Sequence, residues 1–350
     1  MKFHETLFED YVTAVQKFNL HPELDELKQR MPAKLVDFGN LILYGPSGVG
    51  KYSQMLHLIQ KYSPSELKYD KRMTMQSEKH TYTYRISDIH YEIDMAMLGC
   101  NSIAIWHEVF TQIVDIVALK QEKCAILVCK NFHAIHTELL AIFYTYMQQY
   151  NHPHLSIQLK FVLLTEHVGF LPYCILDHCW TVAVRRPPKA HYQEILRNIV
   201  EDQVQAGIIE NEEDVTRIGQ RIEAIEPHQI LNLKEMHWFT TPTENVLPKD
   251  LFNIVCDEVV KDMLAPDTLD ISSFRDKIYD MFVYQLDPVE CVWYIVTHFV
   301  ETGRLLERGL SDVLDKMHPF LKQFNNNYRS IYHMESILFF MMNRVHGFPR

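Results

Sequence analysis

Seven residues constrain this chain more than anything else in it. Gly45-Pro46-Ser47-Gly48-Val49-Gly50-Lys51 fits G-x-x-x-x-G-K, and its surroundings fit too. Asn40-Leu-Ile-Leu-Tyr44 before it is a short apolar run ending at a glycine, which predicts a buried strand. From Lys51 to about Lys61 the pattern is helical, until Ser63-Pro64 breaks it. A strand, a glycine-rich turn and a helix in that order form a phosphate cradle. The glycines let backbone N–H groups turn inward, the helix adds its N-terminal dipole, and the lysine adds positive charge near the terminal phosphates. Gly45 to Lys51, with Tyr52 and Ser53 behind them, are therefore the candidate nucleotide-binding residues, and the ligand class is ATP or ADP.

One position departs from the pattern. The residue after the lysine is ordinarily Ser or Thr, whose hydroxyl ligates Mg²⁺. Here it is Tyr52, and Ser53 comes one residue late, about 100° further round a helix. Nucleotide binding survives that change on paper, and Mg²⁺ placement is left open.

The rest of the chain fits an α/β fold. Cys124 to Cys129, Leu159 to Leu164 and Trp180 to Val184 join Asn40 to Tyr44 as four apolar strands, expected in a parallel sheet covered on both faces. Tyr82 to Ile86 and His90 to Ile93 have strand character. Helices are expected over residues 101–120 and 134–150, the second with Leu139, Ile142, Phe143 and Tyr146 on one face. Arg185-Arg186-Pro187-Pro188 marks a boundary, and the two arginines read as a solvated linker more readily than as a phosphate contact. Beyond it the patterns are helical: 191–205, 212–225, 228–238, then a Thr- and Pro-rich linker at 240–248, then 251–264, 271–283, 288–300, 304–324 and 328–345. Phe339-Phe-Met-Met342 is apolar nearly all round its helix, which points to burial against another subunit or domain.

Hydrolysis of a bound nucleotide needs acids at the end of the third core strand, to hold metal and polarise water. Cys124 to Cys129 is instead followed by Lys130-Asn131-Phe132, with no carboxylate before Glu138. Glu166, after the next strand, is the one candidate for a relocated acid. His133 and His136, and Cys174, His178 and Cys179, each supply half of a zinc-like pattern. Nineteen histidines make coincidence the simpler reading.

Composition sets the remaining bounds. The chain has 350 residues, a formal charge of -11 and 47% hydrophobic residues. That argues against a wholesale basic nucleic-acid wrapper, though not against a local DNA-binding patch. No uncharged apolar run reaches 18 residues, so no membrane span is expected. The first ten residues lack the pattern of a signal peptide, so secretion is not expected. Seven scattered cysteines suit a reducing compartment.

Several segments together resemble the small subunits of replication factor C, the clamp loader of the AAA+ class. Leu43 to Lys51 is similar to that family's phosphate loop. Ile89-His-Tyr-Glu-Ile93, and Leu159 to Leu164 followed by Ile175 and Cys179, fall in the family's order and spacing. So do Lys277-Ile-Tyr-Asp-Met-Phe282 with Asp287-Pro288, and Ser330-Ile-Tyr-His-Met-Glu335. The resemblance implies a P-loop AAA+ RecA-like parallel sheet core, an all-helical lid and an all-helical collar. On that basis the core is expected over 1–187 (1–38 a helical extension), the lid over 188–240 and the collar over 249–350. Implied partners are other clamp-loader subunits in a pentameric ring, a sliding clamp and primer-template DNA. The implied location is nuclear in a cell, or a virus factory or host nucleus or cytoplasm for a virus. The departures run in one direction. Asp177-His178-Cys179 stands where the family carries Ser-Arg-Cys, so the arginine finger is missing. The two sensor positions fall near Thr165 or Glu166 and near Gln229 or Ile230. Such drift resembles the divergent loader-like proteins of large DNA viruses, with weak or no hydrolysis. An AAA+ ATPase or ATPase-like scaffold with another replication or repair role is the alternative.

Overall fold

The computed structural model describes residues 7–76, 81–151, 155–205, 212–224, 251–284, 286–323 and 330–348. It divides into two compact units, Met1–Pro187 and Pro188–Arg350. The helix expected at 228–238, the linker at 240–248 and the second sensor position lie outside the described residues.

The first unit opens with helices α1 (Phe8–Lys17) and α2 (Glu23–Arg30), then β1 (Asn40–Tyr44) and α3 (Lys51–Ile59). β2 (Lys71–Gln76), β3 (Thr81–Ile86) and β4 (His90–Asp94) follow, then α4 (Ser102–Ala118), β5 (Cys124–Lys130) and α5 (Thr137–Gln149). β6 (Gln158–Thr165), the short α6 (Tyr173–Leu176) and β7 (Cys179–Ala183) complete it. The strands form one sheet in the order β2-β3-β4-β5-β6-β1-β7. Strands β4 to β7 and β1 pair in parallel, while β2–β3 and β3–β4 are antiparallel.

Side chains alternate along each strand, so an all-apolar strand feeds two cores at once. Ile42, Leu127, Cys129, Phe161 and Leu163 face one core with α4 and α5, where Trp106 and Phe143 pack with ring centroids 5.0 Å apart. Leu41, Leu43, Ile126, Val128, Val162 and Leu164 face the other, built with Phe8 and Val12 of α1, Leu24 of α2, and Met55 to Ile59 of α3. This second core carries the phosphate-loop helix.

Three expectations need correction here. β7 is not a buried strand: it is the sheet's edge, and Trp180 is 55% exposed. Its apolar sequence reflects one paired neighbour, β1. On α5 the buried stripe is Leu139, Phe143 and Met147, spaced four apart, and Ile142 falls outside it, 37% exposed. β2 was not expected at all. Lys71-Arg-Met-Thr-Met-Gln76 has little intrinsic strand preference, and its six residues are held by pairing with Thr81 to Ile86.

The second unit begins with α7 (Lys189–Gln205) and α8 (Glu212–Glu223), which share a small core of Tyr192, Leu196, Val200, Ile218 and Ile222. The helices α9 (Leu251–Leu264), α10 (Ile271–Val283), α11 (Pro288–Glu301), α12 (Glu307–Gln323) and α13 (Ser330–His346) share a larger one. Aspartates set two of the starts. Asp270 accepts from the backbone N–H groups of Ser272 and Ser273, and Asp287 accepts from Val289 N ahead of Pro288. The apolar run Phe339 to Met342 is buried in part within its own unit, with Phe339 and Phe340 only half-buried. Met341 and Met342 are in this unit's own core, and Phe339 packs on Phe274 at 5.4 Å. The architecture is α/β: a parallel-dominated sheet with the strand–loop–helix at its heart, then, among the described residues, helices alone, as the AAA+ resemblance implied.

Candidate functional site

The loop Gly45–Lys51 leaves the sheet where β1 ends between β6 and β7. Gly45 N donates to Thr165 O of β6 at 3.3 Å, and Val184 N donates to Tyr44 O at 2.7 Å. This close pairing explains the first glycine: a Cβ at position 45 would lie 2.0 Å from the Val184 carbonyl oxygen. Gly48 and Gly50 have φ of 72° and 93°, the left-handed region that turns the loop's N–H groups inward. Val49 between them is buried in the core and anchors the loop from below.

The N-terminal segment holds this loop from outside. His21, 1% exposed, gives its Nε2–H to the Val49 carbonyl at 2.7 Å. Asn19 Oδ1 accepts from His21 N at 3.0 Å and from Gln54 Nε2 of α3 at 2.8 Å. Helix α3 starts at Lys51 with Gly50 as its N-cap, and no side chain caps it. Its first turn therefore keeps N–H groups for an oxyanion, and its dipole favours one. Lys51 Nζ donates to the carbonyls of Gly45 (2.5 Å) and Pro46 (2.6 Å), so its charge is held over the loop. Pro46, Ser47 and Gly48 are partly exposed, as a ligand would require. The arrangement can seat a phosphate chain.

The residues beyond Lys51 do something the sequence did not suggest. The Tyr52 hydroxyl donates to Glu92 Oε1 on β4 at 2.6 Å. Glu92 is 3% exposed, and His90 Nε2 also donates to its Oε1, at 3.3 Å. Lys130, the last residue of β5, lies with Nζ 3.7 Å from Glu92 Oε2 and 4.8 Å from the Tyr52 ring centroid. Tyr11 packs edge-on against Tyr52 at 4.9 Å. Burial alone would push the Glu92 carboxyl up, but the bonds from His90 and Tyr52 and the charge of Lys130 together hold it below the usual range. Burial first, and then the Glu92 charge, push the Tyr52 phenol far above its ordinary value, so it stays neutral and donates.

These residues do not fit a divalent metal. The side chain after Lys51 is a donor already committed to Glu92, and the strand end that should bring an acid brings an ammonium. The neighbouring acids are engaged elsewhere. Asp94 Oδ1 accepts from Asn131 Nδ2 (3.0 Å) and Ala96 N (3.1 Å), and Glu166 lies 3.8 Å from His133 Nε2. Nor does Lys130 supply the carboxylate that would hold a metal or orient water at this strand end.

His178 bonds Tyr144 Oη (2.9 Å) and the Cys174 carbonyl (2.9 Å), so it serves local structure. Among the described residues, no three His, Cys, Asp or Glu side chains gather as a metal site would need. The residues that sequence reasoning missed are His21, His90 and Glu92. One signal was available: His90 and Glu92 are alternate polar residues on a strand buried throughout but for its last residue, where a polar pair must serve a purpose.

No protein-family model matches the chain, and no curated protein matches its sequence. Among solved structures, it is similar to a point variant of RuvB from Thermotoga maritima, at 15% identity and a TM-score of 0.35, over 93% of this chain and 89% of that one. A second point variant of the same RuvB gives 15% and 0.35, over 89% and 86%. A DNA polymerase III gamma subunit-related protein from Thermotoga maritima gives 9% and 0.34, over 93% and 99%. Identities this low say nothing about chemistry, which rests on the loop and the residues around it.

Proposed function

We propose that the chain is a nucleotide-binding subunit of a clamp-loader-like ring, with hydrolysis lost or residual. The observation that carries the nucleotide reading is the loop itself. Its glycines are in left-handed conformation, helix α3 starts without a side-chain cap, and Lys51 is held over the loop. The loop N–H groups and the α3 dipole bind the phosphates, and Lys51 moves from the loop carbonyls to the terminal phosphate oxygens. The one carboxylate of the cluster beside it, Glu92, is buried and engaged by Tyr52, His90 and Lys130 rather than presented to water. ATP or ADP then acts as a switching or structural ligand.

The clamp-loader assignment rests on the ordered resemblance from the phosphate loop to Ser330–Glu335. In this reading residues 1–187 are the core, 188–240 the lid and 249–350 the collar. Side chains such as Val283, Trp293, Leu306 and Tyr332, all exposed in the second unit, suit a collar that packs on neighbours. The test is native mass spectrometry of the chain co-expressed with candidate loader subunits, in ATP and Mg²⁺. A five-chain assembly that loses one nucleotide on Lys51→Ala supports the reading. A lone chain without nucleotide overturns it in favour of a repurposed scaffold.

A further inference from the structure

Deepening the nucleotide reading above, and resting on it, we propose that this site holds its nucleotide without a divalent metal, with the Lys130 ammonium as the countercharge. A triphosphate brings several negative charges to the loop. Backbone dipoles and one lysine neutralise only part of them, and in the usual arrangement Mg²⁺ supplies the remainder. A metal there needs a hydroxyl from the first turn of the helix and an acid from the neighbouring strand end. Both places are taken by groups that repel or ignore a cation: Tyr52 donates its hydroxyl to Glu92, and Lys130 ends β5.

Lys130 is placed for the substitution. Its Nζ lies over the ring of Tyr52, the residue that follows the phosphate-loop lysine. Its side chain is 31% exposed, whereas that of its partner Glu92 is 2% exposed, so of the two it is the lysine that is open to a ligand. At 3.7 Å from Glu92 Oε2 it is within ion-pair reach but beyond a hydrogen bond, and that oxygen has no hydrogen-bond donor among the described residues. An ammonium has three N–H groups. One can close on Glu92 Oε2 and another on a phosphate oxygen, so a bound phosphate would complete a bridge that is half made. Glu92 then positions the lysine, and Tyr52 and His90 position Glu92.

The test is calorimetric titration of ATP and ADP into the full chain, once with Mg²⁺ and once with EDTA. The expected result is a Kd for ATP that agrees within about threefold in the two buffers. Lys130→Ala should weaken ATP by about tenfold or more in EDTA, while Lys130→Arg keeps it within about threefold. Tightening by Mg²⁺ of about tenfold or more on the native chain, which needs no variant, overturns the inference and leaves the nucleotide reading standing. Unchanged binding by Lys130→Ala does the same. No binding in either buffer, with Lys51→Ala indistinguishable from the native chain, removes the nucleotide reading and this inference with it.

Discussion

Replacing Tyr52 by Phe removes one atom, and the structure says what that atom holds. The Tyr52 hydroxyl is 2.6 Å from Glu92 Oε1, and both side chains are largely buried. A buried hydrogen bond to a charged acceptor contributes about 1.5–3 kcal/mol, and its loss leaves the carboxylate under-solvated. Glu92 would keep His90 at 3.3 Å and the ion pair with Lys130 at 3.7 Å, so the loss is partial. We expect Tyr52→Phe to cost about 2 kcal/mol. For a unit of this size that is a fall of about 4–8 °C in Tm. Scanning calorimetry of the full chain is the assay, because two compact units need not melt as one and the shift belongs to the transition of the first. A double-mutant cycle assigns the effect. In the Glu92→Gln background the same substitution should cost about 1 kcal/mol or less, since a neutral acceptor is worth less. A Tm within about 1 °C of native, or a coupling below about 0.5 kcal/mol, would refute the view that this bond organises the site.

Two further predictions follow from the same unit. Gly45→Ala forces a methyl carbon against the Val184 carbonyl, 2.0 Å away, and must part the end of β1 from the residue after β7. It should cost about 3 kcal/mol and lower nucleotide retention with it, so an unchanged melting curve would contradict the packing described. The second concerns acid. Burial raises the Asp88 carboxyl, but bonds from Ser63 Oγ, Ser65 N and Ser65 Oγ outweigh it and leave it lower than usual, like Glu92. A carboxylate held low in the fold adds stability above its unfolded value, about 4, which is lost as pH falls through the folded value. Asp88→Asn and Glu92→Gln should each flatten the fall of Tm below about pH 4, and a slope identical to native in both would count against these contacts.

What the sequence disclosed and what it withheld divide along a physical line. The phosphate loop was legible because its chemistry is contiguous: seven neighbouring residues carry the turn, the anion cradle and the charge. β1, β5 and β6 were legible because a strand buried on both faces has no polar alternation to hide it. β2 was not, since Lys71 to Gln76 are a strand only by virtue of β3 beside them. β7 reads as buried because its residues are apolar, yet an edge position is a property of the sheet's order and not of the strand. Glu92 was out of reach for a related reason. Its place beside Tyr52 spans 40 residues and depends on β4 lying next to β5, which local pattern does not encode.

The departures around the loop are better understood as one change than as several losses. A tyrosine after Lys51 would be destructive alone, because its buried hydroxyl would need an acceptor. Glu92 is that acceptor. A glutamate buried at this depth would in turn be costly without counter-charge, and Lys130 supplies it while His90 adds a hydrogen bond. Lys130 is thus the residue that makes the glutamate tolerable, and the glutamate is what makes the tyrosine tolerable. Replacing any one of the three weakens what holds the others. Restoring metal chemistry would require at least Tyr52→Thr together with Lys130→Asp, and the acid created at 130 would then stand beside Glu92, two carboxylates needing the very cation that the present arrangement excludes.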